Sequence, residues 1–206
     1  MRCVAISDTH GMFESITVPE GDVLIHAGDI LGRGTLYELA KFDEWLSVQQ
    51  HKHKIVIAGN HHWCFSEDRA ASEKMLGNAI YLEDSSIVIE GIKFFGSPWQ
   101  PEFYNWAFNL PRGKALQEKW ALIESDTDVL ITHGPPHGIL DYVASGGNVG
   151  CEELLIATKK IAPKFHVFGH IHEGYGVKTQ EKTTFINASI NNERYNPTND
   201  AIVFDV

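Results

Sequence analysis

Five short stretches of this chain carry side chains suited to holding divalent cations: Asp8 with His10, Asp29, Asn60 with His61, His133, and His170 with His172. The donors are carboxylate, amide carbonyl and imidazole, with no thiolate. Such a set suits Mn²⁺, Fe or Zn²⁺, and the histidines argue against Ca²⁺ or Mg²⁺ as the preferred ion. In Asp8/His10 and His170/His172 the two side chains are two positions apart, so both can point the same way from extended backbone. Setting His61 aside as either a ligand or a substrate contact leaves seven donors. Seven are too many for one ion and suit two if one donor is shared. Two ions held close together would lower the pKa of a bridging water.

Each stretch follows an apolar run: Cys3 to Ile6, Val23 to Ala27, Ile55 to Ala58, Val129 to Thr132, and Phe165 to Phe168. Short runs of this kind predict strands buried on both faces. The segment Asp22 to Asp29 shows the pattern most fully: buried strand, then Gly28, then a carboxylate. Ligands of open α/β sheets bind at the carboxyl ends of strands. One Asp or His after a strand is ordinary turn chemistry; five such ends in one chain point to a common site. Helices are predicted over Thr35 to Gln50, where Thr35 and Glu38 form a capping-box pattern, and over Glu67 to Leu76, Leu116 to Ser125 and Gly150 to Ile161. Ile139 to Asn148 reads as a loop. Arg33, between Gly32 and Gly34, is either an anchor for a phosphate oxygen or a solvated loop residue. In the aromatic-rich segment 97–108, Trp106 and Phe108 are expected to pack inward, and Trp99 is a candidate platform for a base. His51 to Lys54 precedes a strand, at the end opposite the other candidates, and reads as a helix terminus.

The composition narrows the partners. The formal charge of −10 over 206 residues argues against an extended nucleic-acid face. It leaves room for a metal-neutralised pocket taking one small phosphate ester. Three cysteines, widely spaced, make neither a disulfide framework nor a thiolate zinc site. No apolar run is long enough for a membrane span, and no signal-peptide pattern follows Met1. The expectation is one cytoplasmic domain over residues 1–206, with no membrane partner and an oligomeric state left open.

In order along the chain, Asp8-x-His10, Gly28-Asp29, Gly59-Asn60-His61, His133-Gly134 and Gly169-His170-x-His172 resemble the blocks of the calcineurin-like metallophosphoesterase superfamily. The wording of Gly96-Ser97-Pro98-Trp99, Thr132 to Pro136 and Gly169 to Gly176 resembles its metallophosphoesterase-domain branch, some members of which act on cyclic nucleotides. The resemblance implies an α/β fold of two packed mixed β-sheets flanked by helices, a four-layer α/β/β/α sandwich. It implies that Asp8, His10 and His172 hold one ion, that Asn60, His133 and His170 hold a second, and that Asp29 bridges them. His61 would contact the leaving group or a phosphoryl oxygen. The implied activity is that of a phosphodiesterase, in which a metal-bridging hydroxide attacks a small nucleotide-type diester, with Mn²⁺ the favoured ion. A phosphomonoesterase or protein phosphatase with the same metals is the alternative, and a binding module on the same fold ranks behind both. The sequence departs from the protein-phosphatase branch at Gly32, where that branch has an acidic residue that orients the catalytic histidine. The residue after Asn-His, often acidic in the family, is His62 here. What orients His61 is therefore not legible in the sequence.

Overall fold

The computed structural model describes all residues from Met1 to Val206. Two sheets carry the architecture. The first holds β1 (Arg2–Ile6), β2 (Val23–His26), β3 (His53–Val56) and β4 (Ile80–Tyr81), mutually parallel, with β15 (Ile202–Asp205) antiparallel on the outer edge of β1. The second runs in the order β13 (Gly176–Gln180), β14 (Thr183–Asn187), β12 (Phe165–Phe168), β9 (Val129–Thr132), β6 (Ile92–Ser97) and β5 (Ser85–Ile89). Its four central strands are parallel and its two edges pair antiparallel. Two small ribbons complete the strands: β7 (Gln100–Pro101) with β8 (Asn109–Leu110), and β10 (Tyr142–Val143) with β11 (Gly147–Asn148).

The alternation of side chains along each strand builds the layers. Cys3, Ala5, Val23, Ile25 and Ile55 of the first sheet share one buried cluster with Phe94, Val129, Ile131, Val167 and Ile186 of the second. The intervening residues Val4, Ile6, Leu24 and Val56 pack outward against Leu39, Phe42 and Leu46 of α1 (Leu36–Ser47). On the far side, Phe95 and Leu130 meet Leu116 and Trp120 of α4 (Lys114–Trp120) and Leu154 of α5 (Glu152–Ile161). Helix, sheet, sheet, helix is the expected order. The continuous apolar runs read from the sequence are strands buried on both faces: β1 beyond Arg2, and all of β2 and β9.

Helix α1 begins as its sequence signals, with the Thr35 side chain accepting from the Glu38 amide and Glu38 accepting from the Thr35 amide. Two expectations are corrected. The helix expected over Glu67 to Leu76 is two pieces, α2 (Trp63–Glu67) and α3 (Arg69–Met75), because Asp68 leaves helical geometry and caps the Ala71 amide at 3.0 Å. The loop expected over Ile139 to Asn148 contains the β10–β11 ribbon, held by the buried Asp141 carboxylate, which accepts from the Gly138 and Gly150 amides. No helix is long and apolar enough to cross a membrane.

Candidate metal centre

The carboxyl ends of β1, β2 and β3 meet those of β9 and β12, and the five ligand-bearing stretches fall together there. The junction is stitched by the candidate ligands themselves. The His133 Nδ1–H donates to the Ala27 carbonyl of the other sheet at 3.1 Å. The His170 amide donates to Asp8 Oδ2 at 2.9 Å, and the Ser189 hydroxyl donates to the same oxygen at 2.8 Å. The backbone at these ends is unusual. Asp8, His10, Asp29 and His170 all have φ between 45° and 67°. Non-glycine residues seldom adopt this left-handed conformation, and clusters of it mark functional sites.

Three groups of donor atoms lie within coordination reach of one another: Asp8, His10 and His172; His10, Asp29 and His61; and Asp29, His133 and His170. His10 is shared by the first two groups and Asp29 by the last two. Asp29 Oδ2 lies 3.3 Å from His133 Nε2 and 3.9 Å from His10 Nε2, and its Oδ1 accepts the His61 amide at 2.9 Å. Asn60 joins the third group through its Oδ1, 2.9 Å from His133 Nε2. Asp8 Oδ1 and His10 Nε2 are buried without any hydrogen-bond partner. Buried polar atoms left unpaired cost free energy, and a cation held by both would satisfy them, so the donors present fit a metal.

Backbone carbonyls fix the imidazoles. Nδ1–H donates to the Gly32 carbonyl in His61 (2.8 Å), to Ala27 in His133 and to Asn192 in His172 (2.9 Å). A carbonyl can only accept, so Nδ1 carries the proton and Nε2 is left for the site. This answers the question raised by Gly32: the orienting group is its carbonyl, which needs no side chain. Trp106 completes the placement, stacking on the His61 ring at 4.4 Å and 24°. His62 is buried beneath the site, its Nδ1 accepting the Gly59 amide at 2.9 Å.

The electrostatics favour cation binding. Burial opposes ionisation of Asp8 and Asp29, yet the His172 and His133 imidazoles beside them override it and hold both carboxyls well below the usual carboxylate range. Burial lowers His10 to about 4 and His170 to about 3, so both are neutral ligands at physiological pH. Burial also opposes charge on His172, but the Asp8 carboxylate 3.6 Å away lifts it to about 9.

The ligands open into a cavity of about 560 Å³, walled by Phe103, Tyr104, Trp106, Arg112, Val143 and Tyr195. Arg33 is not among its lining residues. Its side chain is exposed, and its amide is turned to the Glu38 carboxylate of the α1 cap, so the phosphate-anchor reading of Arg33 is withdrawn. Of the aromatic assignments, Phe108 packs inward as expected and Trp106 does not. Trp99 donates to Asp84 at 3.0 Å and lies under the Lys119 ammonium, whereas Trp106 enters the cavity. The contributions of Ser189, Asn192 and Tyr195 were not visible in the sequence, because their loop carries no ligand-type pair.

Comparison with known proteins agrees with this geometry. The calcineurin-like phosphoesterase family model matches residues 1–174. The chain is 46% identical to human metallophosphoesterase domain-containing protein 1, covering all of this chain and 71% of that protein. It is 40% identical to the UPF0046 protein T07D4.2 of Caenorhabditis elegans, over all of this chain and 60% of the relative. Among solved structures, the TT1561 protein of Thermus thermophilus superposes with a TM-score of 0.62 at 16% identity, covering 90% of this chain and 88% of that one. By its sequence and its fold, the chain belongs to the calcineurin-like phosphoesterase family.

Proposed function

We propose that the protein is a dinuclear-metal phosphodiesterase acting on a small nucleotide-type phosphodiester. The observation that carries this reading is the pair of donor groups, Asp8/His10/His172 and Asp29/His133/His170, linked where His10 meets Asp29 at the wall of one cavity. Asp8, His10 and His172 would hold one ion and Asn60, His133 and His170 a second, with Asp29 shared. Mn²⁺ is the favoured ion, with Fe or Zn²⁺ as substitutes. Bound ions would supply Lewis-acid activation of the ester and of water.

The chain's own residues supply the rest. His61, with Nδ1–H tied to the Gly32 carbonyl, presents Nε2 to the cavity. Protonated there, it donates to the leaving oxygen as the ester bond breaks. Trp106 holds the ring in place and, with Phe103 and Tyr104, forms an apolar wall suited to a base or other flat group. That wall favours a nucleotide-type ester over a bare phosphate. The three cysteines are free and buried, which fits a reducing, cytoplasmic setting.

The test is turnover of an aryl phosphodiester and an aryl phosphomonoester by metal-stripped protein reloaded with Mn²⁺. Diester hydrolysis that appears only with metal supports the proposal. Monoester preference moves the assignment to a phosphatase. Failure to bind metal leaves a binding module on a phosphoesterase fold.

A further inference from the structure

The family match ends at residue 174, yet the segment that follows β14 returns to the candidate centre. Its Ser189 hydroxyl and Asn192 carbonyl hold Asp8 and His172 from behind. Tyr195 comes over the front. Its ring meets His10 edge-on at 4.9 Å and His172 at 5.1 Å, and it lines the cavity. Tyr195 sits at φ 58°, a conformation costly for an aromatic residue. Its amide donates to the same Asn192 carbonyl that receives His172 Nδ1–H. The Asn192 side chain closes the turn by accepting from the Arg194 and Asn196 amides. The residue is half exposed and lines the cavity.

A ring wanted only to cover two imidazoles has no need of a hydroxyl. We infer that Tyr195 is a substrate-contacting residue, whose phenol donates a hydrogen bond to a non-bridging oxygen of the phosphate group held beside His10 and His172. The inference rests on the phosphoesterase reading and adds a donor from outside the family's matched region. A phenol aimed at a phosphoryl oxygen fills the role first considered for Arg33, with a neutral group in place of a cation.

The probe is inorganic phosphate, titrated by calorimetry into Mn²⁺-loaded full-length protein, wild type against Tyr195→Phe, with metal content and thermal midpoint measured on each. Phenylalanine keeps the ring and removes only the oxygen. The expected result is phosphate affinity weakened about tenfold or more, as for losing one hydrogen bond to a charged group, with metal content and midpoint unchanged. Equal affinity in the two proteins overturns the role of Tyr195 and leaves the phosphoesterase reading standing. Loss of metal from Tyr195→Phe also overturns it, since the residue would then act on the centre and not on substrate. A wild-type protein that holds its ions and binds no phosphate overturns the inference and the phosphoesterase reading together.

Discussion

At the scale of single residues, the candidate centre sets the Asp29 carboxylate beside His10 and His133, with His61 anchored through its other ring nitrogen. His61 touches no other candidate ligand through its Nδ1, which is spent on the Gly32 carbonyl. His61→Ala is therefore expected to keep its metal and lose about 10²–10⁴-fold in turnover of an activated diester; an unchanged rate with full metal content would remove His61 from the mechanism. His172 makes a different prediction. Its proton affinity is raised to about 9 in the metal-free protein, so it is charged at pH 7.5 and a cation must displace that proton. The sign follows: metal affinity rises with pH through the neutral range and levels off above about 9. Calorimetric metal titrations in two buffers of different ionisation heat should show about one proton released from this residue. A heat independent of buffer would contradict it.

At the scale of elements, strand ends and the glycines beside them do the positioning. A side chain at Gly59 would land on the Asp29 carboxylate, and one at Gly169 on Asp8 and Ser7. Gly169→Ala should accordingly lose metal while keeping its secondary structure, as read by metal analysis beside circular dichroism; full metal content would show that the strand end can shift. By contrast, Thr35→Ala touches only the α1 cap and should cost about 1 kcal/mol in urea denaturation with metal binding intact. These elements also show how far the sequence reached. Apolar runs ending in Asp, Asn or His made β1, β2, β3, β9 and β12 and the ligand set legible, because burial on both faces and a donor at the strand end are local patterns. Trp106 over His61, Tyr195 over His10 and the Gly32 carbonyl were not legible. Each depends on a long-range approach between segments, or on backbone atoms that every residue type possesses. Arg33 was misread because a cation beside glycines looks the same whether the turn faces the cavity or, as here, the α1 cap.

At the scale of the whole molecule, both sheets contribute candidate ligands and share one buried cluster, and we propose that the chain unfolds as one unit. A single thermal transition is expected, raised by Mn²⁺ and lowered by a chelator. At a free-ion concentration 1,000 times the dissociation constant, the gain is about 4 kcal/mol. Two separated transitions by calorimetry would mean that the sheets melt independently and that the centre is a contact between two bodies. The edge of the first sheet carries a further consequence. Strand β1 pairs on its outer side with β15, about 200 residues later in the chain. While the polypeptide is being synthesised, β2 and β3 can join β1 early, but its other flank keeps its amides and carbonyls open until β15 has emerged. An open flank of apolar strand invites pairing with a neighbouring nascent chain. Ribosomes spaced closely on one message would raise that hazard, and slower initiation would lower it.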